Sequence, residues 1–177
     1  MARKALSMSF LLGCIVLGCT ALAPSGRAQQ AVPAPAQQAI PPYGPPLSLD
    51  TARRVAEGAE AEAKRNGWPV AVAIVDSTGH LVLFEKLDNT QYGSIEVATQ
   101  KAVTAINYRR PGKALQDALA NGGVGLRVLT LPGISAYEGG YPLEADGKLV
   151  GAIGVSGVLP VQDDQVARAG VEAMRAR

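Results

Sequence analysis

The stretch from Val70 to Leu87, VAVAIVDSTGHLVLFEKL, decides the fold. Val70 to Val75 is an unbroken apolar run of strand length, and Leu81 to Leu87 is a second run, apolar except for Glu85 and Lys86. Asp76, Ser77, Thr78 and Gly79 between them are turn formers, so the stretch predicts an antiparallel hairpin. A run with no polar alternation has no face left for water, so the first strand is expected to be covered on both sides.

Working outward, Leu49, Ala52, Val55, Ala56, Ala59 and Ala63 recur at helical spacing before the hairpin, with charged residues between them, and Gly67 and Pro69 end that helix. After the hairpin, Ser94 to Tyr108 reads as a helix with Glu96 in its first turn, where the helix dipole favours an anion. Lys113 to Ala120 suggests a short helix and Asn121 to Gly125 a glycine-rich turn. Strand candidates follow at Leu126 to Leu131, Ile134 to Tyr137, Tyr141 to Glu144 and Leu149 to Val155, with a turn at Asp146-Gly147. A last helix is predicted from Val161 to Met174. The order of elements argues for an α+β sandwich: one central antiparallel sheet flanked by helices.

The N-terminal segment has a different character. Arg3 and Lys4 precede an apolar stretch from Phe10 to Ala23, followed by Gly26-Arg27-Ala28, the pattern of a secretory signal peptide over residues 1–28. Val16-Leu17-Gly18-Cys19 offers an alternative, a lipoprotein box with Cys19 lipidated. Cleavage after Ala28 leaves a mature chain without cysteine, which removes disulfides and thiolate metal sites together. Localisation is then periplasmic or secreted, with no transmembrane segment in the mature form. Residues 29–46 carry six prolines among Gln and Ala and read as an extended tether, with the folded domain over residues 47–177.

Of the 17 Lys and Arg, three lie before residue 29, whereas all 15 acidic residues follow it, so the mature chain sets 14 basic against 15 acidic groups. That balance argues against general nucleic-acid binding, which needs a basic patch to displace counterions.

Motifs for chemistry are sparse. His80 is the one histidine and sits in the hairpin turn, so there is no metal-spaced pair. Gly154-Val155-Ser156-Gly157 lacks the spacing of a nucleophile elbow, and Gly151, Gly154 and Gly157 match neither a dinucleotide fingerprint nor a P-loop. Asp76, Asp88, Glu96, Glu138 and Glu144 are candidate acids or bases that no spacing pairs. The 94–108 helix stands out. Ile95, Ala98, Ala102 and Ala105 form a stripe of mostly small residues beside a stripe of Val97, Lys101, Thr104 and Tyr108. Small side chains admit a close neighbour, which is either a packed sheet or helix or something flat.

Several ordered words resemble the GlcG/HbpS family, also found as the C-terminal domain of PduO-type proteins. They are Ala71 to Asp76 with Gly79-His80-Leu81, Ser94 to Ala98 with Lys101 to Ala105, Gly139-Gly140-Tyr141-Pro142-Leu143, Gly151 to Gly157, and Gln162-Asp163-Asp164 with Ala167 to Gly170. The resemblance implies a profilin-like or PAS-like sheet, a homo-oligomer, and an exported small-ligand-binding protein with haem as its cofactor, serving a sensor or transport partner. On that reading Ala98, Lys101, Thr104, Ala105 and Tyr108 are at the haem: the resemblance suggests Thr104 as axial ligand, Tyr108 one turn along the same face is the alternative, and Lys101, Arg109 or Arg110 would meet the propionates. Thr104 and Tyr108 are equally readable as ordinary hydrogen-bonding residues beside a subunit interface. Two other readings stand beside it. One is a small-molecule enzyme using Asp76, Glu96 or Lys101 near the Gly139-Gly140 loop; the other is a pocketless partner-binding module, with a solid core beneath Ala98 and Ala102. The chain departs from the family pattern at Lys86-Leu87-Asp88-Asn89, where Arg-Met-Asp-Gly is common, and at the apolar Val158-Leu159-Pro160-Val161.

Overall fold

The structure, a computed structural model, describes residues 40–176. The segment expected to be a signal peptide (residues 1–28), with Cys19, and most of the expected tether (residues 29–46) lie outside the described residues.

Helix α1 (Leu49–Asn66) is opened by Ser48, whose hydroxyl accepts from Thr51 N at 3.2 Å, and closed by Gly67 in the left-handed region at φ 67°. The predicted hairpin is β1 (Ala71–Asp76) and β2 (Leu81–Lys86). Its turn is tied by Asp76, whose Oδ1 accepts from Thr78 N at 2.8 Å, Thr78 Oγ1 at 2.6 Å and His80 N at 3.2 Å. Helices α2 (Gly93–Asn107) and α3 (Gly112–Ala120) come next, then a 3-10 segment (Gly123–Thr130), β3 (Gly140–Ala145), β4 (Lys148–Ser156) and α4 (Pro160–Arg175). The four strands form one antiparallel sheet in the order β2-β1-β4-β3.

The alternation of β1 explains its sequence. Val72 and Ile74, with Ile153 and Val155 of β4, face α1 and α4 and meet Val55, Ala59 and Val166. Ala71, Ala73 and Val75, with Ala152, face α2 and meet Ala98, Ala102 and Ala105. One layer is bulky and the other small, so α2 lies unusually close to the sheet. At Gly154 the approach is closest: a Cβ there would strike Ala98 O and Ala102 N.

Two predicted strands are corrected. Leu126 to Leu131 falls mostly in the 3-10 segment, because Gly122 and Gly123 at φ 63° and 53° turn the chain and an apolar run alone does not separate strand from helix. Ile134 to Tyr137 belongs to no regular element. The packed domain also begins before Leu47: Leu149 N donates to Pro42 O at 2.9 Å and Gly44 N to Leu149 O at 2.7 Å, so residues 42–44 lie against the start of β4. Asn89 takes a left-handed φ of 63°, which Asn tolerates better than most residues, at the position where the family pattern has Gly. Among the described residues no helix is long and apolar enough to cross a membrane.

Candidate functional site

Lys101, Thr104 and Tyr108 are spaced by three and four residues, so they share one face of α2. Each of them holds neighbouring chain in place. Lys101 Nζ donates to Val155 O and to Asp163 Oδ2, both at 2.8 Å, and the two side chains are 3% and 4% exposed. Asp163 Oδ1 also accepts from Val158 N at 3.2 Å, which ties the start of α4 to the end of β4. Burial pushes the Lys101 ammonium below its usual range, against the attraction of Asp163, Asp164 and Glu138. Burial likewise pushes the Asp163 carboxyl up, against the pull of Lys101 and the backbone N–H groups of Val158 and Gly157. Gly139, at φ 96°, crosses directly over this pair; a Cβ there would lie 2.9 Å from Asp163 Cβ and 3.1 Å from Lys101 Nζ.

The other two residues fasten the irregular segment 132–137. Thr104 Oγ1 accepts from Ser135 N at 2.8 Å and donates to Gly133 O at 3.4 Å. Tyr108 OH donates to Pro132 O at 2.8 Å. Thr104 is fully buried, and its hydroxyl is committed to the chain on both sides. Ala98, Ala102 and Ala105 are also fully buried, and their neighbour is the sheet. The flat partner of the small stripe is therefore β1 and β4, and the layer beneath Ala98 and Ala102 is solid, as the pocketless reading anticipated.

Of the three residues of the enzyme reading, Lys101 lies at the Gly139-Gly140 loop and the other two are not beside it. Asp76 stands opposite Gly151, four residues along β4 from Val155, which Lys101 contacts; at ~3.3 Å per residue that is about 13 Å. Glu96 is exposed and accepts from Gln100 Nε2 at 3.1 Å. Among the described residues no three His, Cys, Asp or Glu are grouped to hold a metal.

An open space does exist on the far side of Tyr108. A cleft of about 660 Å³ lies between α3 and the 3-10 segment. Its walls include Leu115, Ala118, Val128 and Leu131, and Arg110 and Arg127 line it without any carboxylate. The volume is within the ~300–1,000 Å³ of small-molecule sites, and an apolar wall with a few polar groups is their usual lining. Of the five residues that the sequence places at a haem, Tyr108 alone lines this cleft. Sequence reasoning missed Arg127, Leu115 and Val128. The available signal was the single Arg127 inside the otherwise apolar Val124 to Leu131.

The cleft suits the organic part of a haem better than its iron. No His, Cys or Met lines it, which leaves Tyr108 as the one side chain there of a type that ligates haem iron. Its two hydroxyls are already donating, Tyr108 to Pro132 O and Thr130 Oγ1 to Arg127 O at 2.7 Å.

The family described as haem degrading protein HbpS-like matches residues 47–172. The chain belongs to the HbpS-like family. Protein GlcG of Escherichia coli K12 is 34% identical over 110 residues, which is 62% of this chain and 81% of that protein. The crystal structure of HbpS superposes with a TM-score of 0.67 at 33% identity, covering 73% of this chain and 90% of that one. PduOC, crystallised as a haem complex, gives 0.66 at 28% identity over 72% and 94% of the two chains. The α+β architecture derived from the hairpin is thus the fold of this family.

Proposed function

We propose that this is an exported haem-binding protein that works by binding rather than catalysis, and that its ligand enters the cleft between α3 and the 3-10 segment. The observation that carries the reading is the cleft: an apolar slot of about 660 Å³ bordered by two guanidinium groups suits a flat apolar molecule with acidic substituents. The crystallised haem complex of the related PduOC supports the same ligand.

Leu115, Val128 and Leu131 exclude water from the ring, and Tyr108 forms the side of the cleft nearest α2. Lys101 and Thr104 are positioning residues: they fix the end of β4 and segment 132–137, on whose Pro132 carbonyl the Tyr108 hydroxyl rests. Haem, when bound, supplies the redox and axial-ligand chemistry of its iron; the chain supplies the slot. Self-association belongs to the same reading and is supported by Val124, Leu126 and Leu129, apolar and exposed on the 3-10 segment.

The test is a haemin titration followed at the Soret band for the wild type, Tyr108→Phe and Thr104→Ala. A saturable site is expected, altered in spectrum or affinity by Tyr108→Phe and weakened by Thr104→Ala only as far as segment 132–137 loosens. A response that never saturates removes haem from the function.

A further inference from the structure

Resting on that reading, we infer that the cleft selects its ligand by two carboxylates and a flat apolar body, and not by iron: it takes metal-free dicarboxylic tetrapyrroles as well as haem.

The cleft's charge is one-sided in a domain that is otherwise balanced. Arg110 and Arg127 line it and no acidic residue does. Among the described residues neither guanidinium has a carboxylate partner, so both are free to take an acidic group. Arg110 is also held in place, since its Nε donates to Tyr108 O at 3.0 Å and its two terminal nitrogens make no bond within the described chain. A fork fixed at its base and free at its tips is a ready acceptor site for a planar acid, because the guanidinium geometry matches a carboxylate with two parallel bonds. The 3-10 segment supplies the second fork, on Arg127, from the opposite wall.

The donors for iron are as scarce as those for acids are plentiful. Both hydroxyls of the cleft are spent on backbone carbonyls. Thr104, the residue that the family resemblance offers to the metal, is fully buried under segment 132–137. Of the residues lining the cleft Tyr108 alone has the chemistry of an axial ligand, and as a phenolate it would give up its bond to Pro132 O, so binding strength comes chiefly from the ring and its acids. Removing the metal leaves both of these unchanged, whereas blocking the acids removes the feature that the two arginines read.

The experiment compares haemin, metal-free protoporphyrin and protoporphyrin dimethyl ester on the purified protein, by absorbance and porphyrin fluorescence, with Arg110→Gln, Arg127→Gln and the double variant alongside. Both arginines are exposed, so the folded state of the variants is checked simply by their melting curves. Haemin and protoporphyrin are expected to bind within about threefold of each other and the ester about tenfold more weakly. Each substitution is expected to cost the free acids about three- to tenfold and the ester almost nothing, so that the double variant no longer distinguishes acid from ester. If haemin binds and protoporphyrin does not, iron is the determinant; the inference falls while haem binding stands. If acid and ester bind alike, the arginine recognition falls in the same way. If none of the three binds, the proposed function falls with it.

Discussion

Replacing Asp163 by Asn is the sharpest perturbation of the scaffold. Lys101 and Asp163 are both nearly solvent-free and 2.8 Å apart, and Asn retains an acceptor for Val158 N while removing the counter-charge. The Lys101 ammonium is then left buried with Val155 O as its one partner. Orphaning one member of a buried pair typically costs ~3–5 kcal/mol, out of a total stability of about 5–15 kcal/mol. For a domain of this size, with an unfolding entropy of ~2.1 cal/mol/K per residue, that is a fall in Tm of about 10–17 °C. The second half of the cycle is Lys101→Met with Asp163→Asn. No buried charge remains, and because burial rather than attraction dominates both ionisations in the wild type, the double variant should recover most of the loss. Urea and thermal melts by circular dichroism read both outcomes. A loss under about 1 kcal/mol in Asp163→Asn, or a double variant no better than its parents, would refute the reasoning.

The same pair sets a pH dependence. Burial holds Asp163 above its ordinary 3.8, so its contribution to stability is fully present below that value and is lost as pH rises through the folded pKa. In Lys101→Met the opposing attraction is gone, and the urea midpoint relative to wild type should rise on acidification from pH 7 towards 5; a flat difference would contradict this. Gly154→Ala forces a methyl into Ala98 O and Ala102 N and should cost about 3 kcal/mol or more by denaturant melts, since backbone cannot yield as a side chain does. Asp76→Ala removes the acceptor for three turn hydrogen bonds and should cost ~1–2 kcal/mol by the same melts. Tyr43 donates to Ile106 O at 3.1 Å and lies beneath the Arg109 guanidinium at 5.4 Å; Tyr43→Ala should cost ~1–2 kcal/mol and speed amide exchange at the end of α2, with unchanged exchange there counting against a structural role for the tether.

The hairpin and the helices were legible because their signals are local. Val70 to Val75 has no polar face to give to water, and Leu49 to Ala63 keeps helical spacing for four turns. The stretch from Leu126 to Tyr137 was illegible for the opposite reason. Its apolar residues have no period that favours one element, and what fixes it is remote: the hydroxyls of Thr104 and Tyr108, which reach it across 29 and 24 residues of sequence. The candidate site suffered the same limit. The polar stripe of α2 was visible as a stripe, but whether it faced a ligand or the chain depended on a segment whose path the sequence did not specify. Ala98 and Ala105 were correctly seen as a surface for close approach; their partner is the Ala71, Ala73 and Gly154 face of the sheet, where small residues alternate with large ones along β1 and β4. Arg127 is visible as the one charge between Val124 and Leu131, but where it points depends on α3 lying opposite.

The most direct test of the central claim is a haemin titration of the wild type beside Ala118→Trp, which puts an indole into the cleft between α3 and the 3-10 segment while leaving Tyr108 and both arginines in the sequence. The account expects one saturable site per chain in the wild type and its loss in Ala118→Trp, with both proteins melting alike. Saturable binding that survives the filled cleft would place the haem elsewhere and contradict the account.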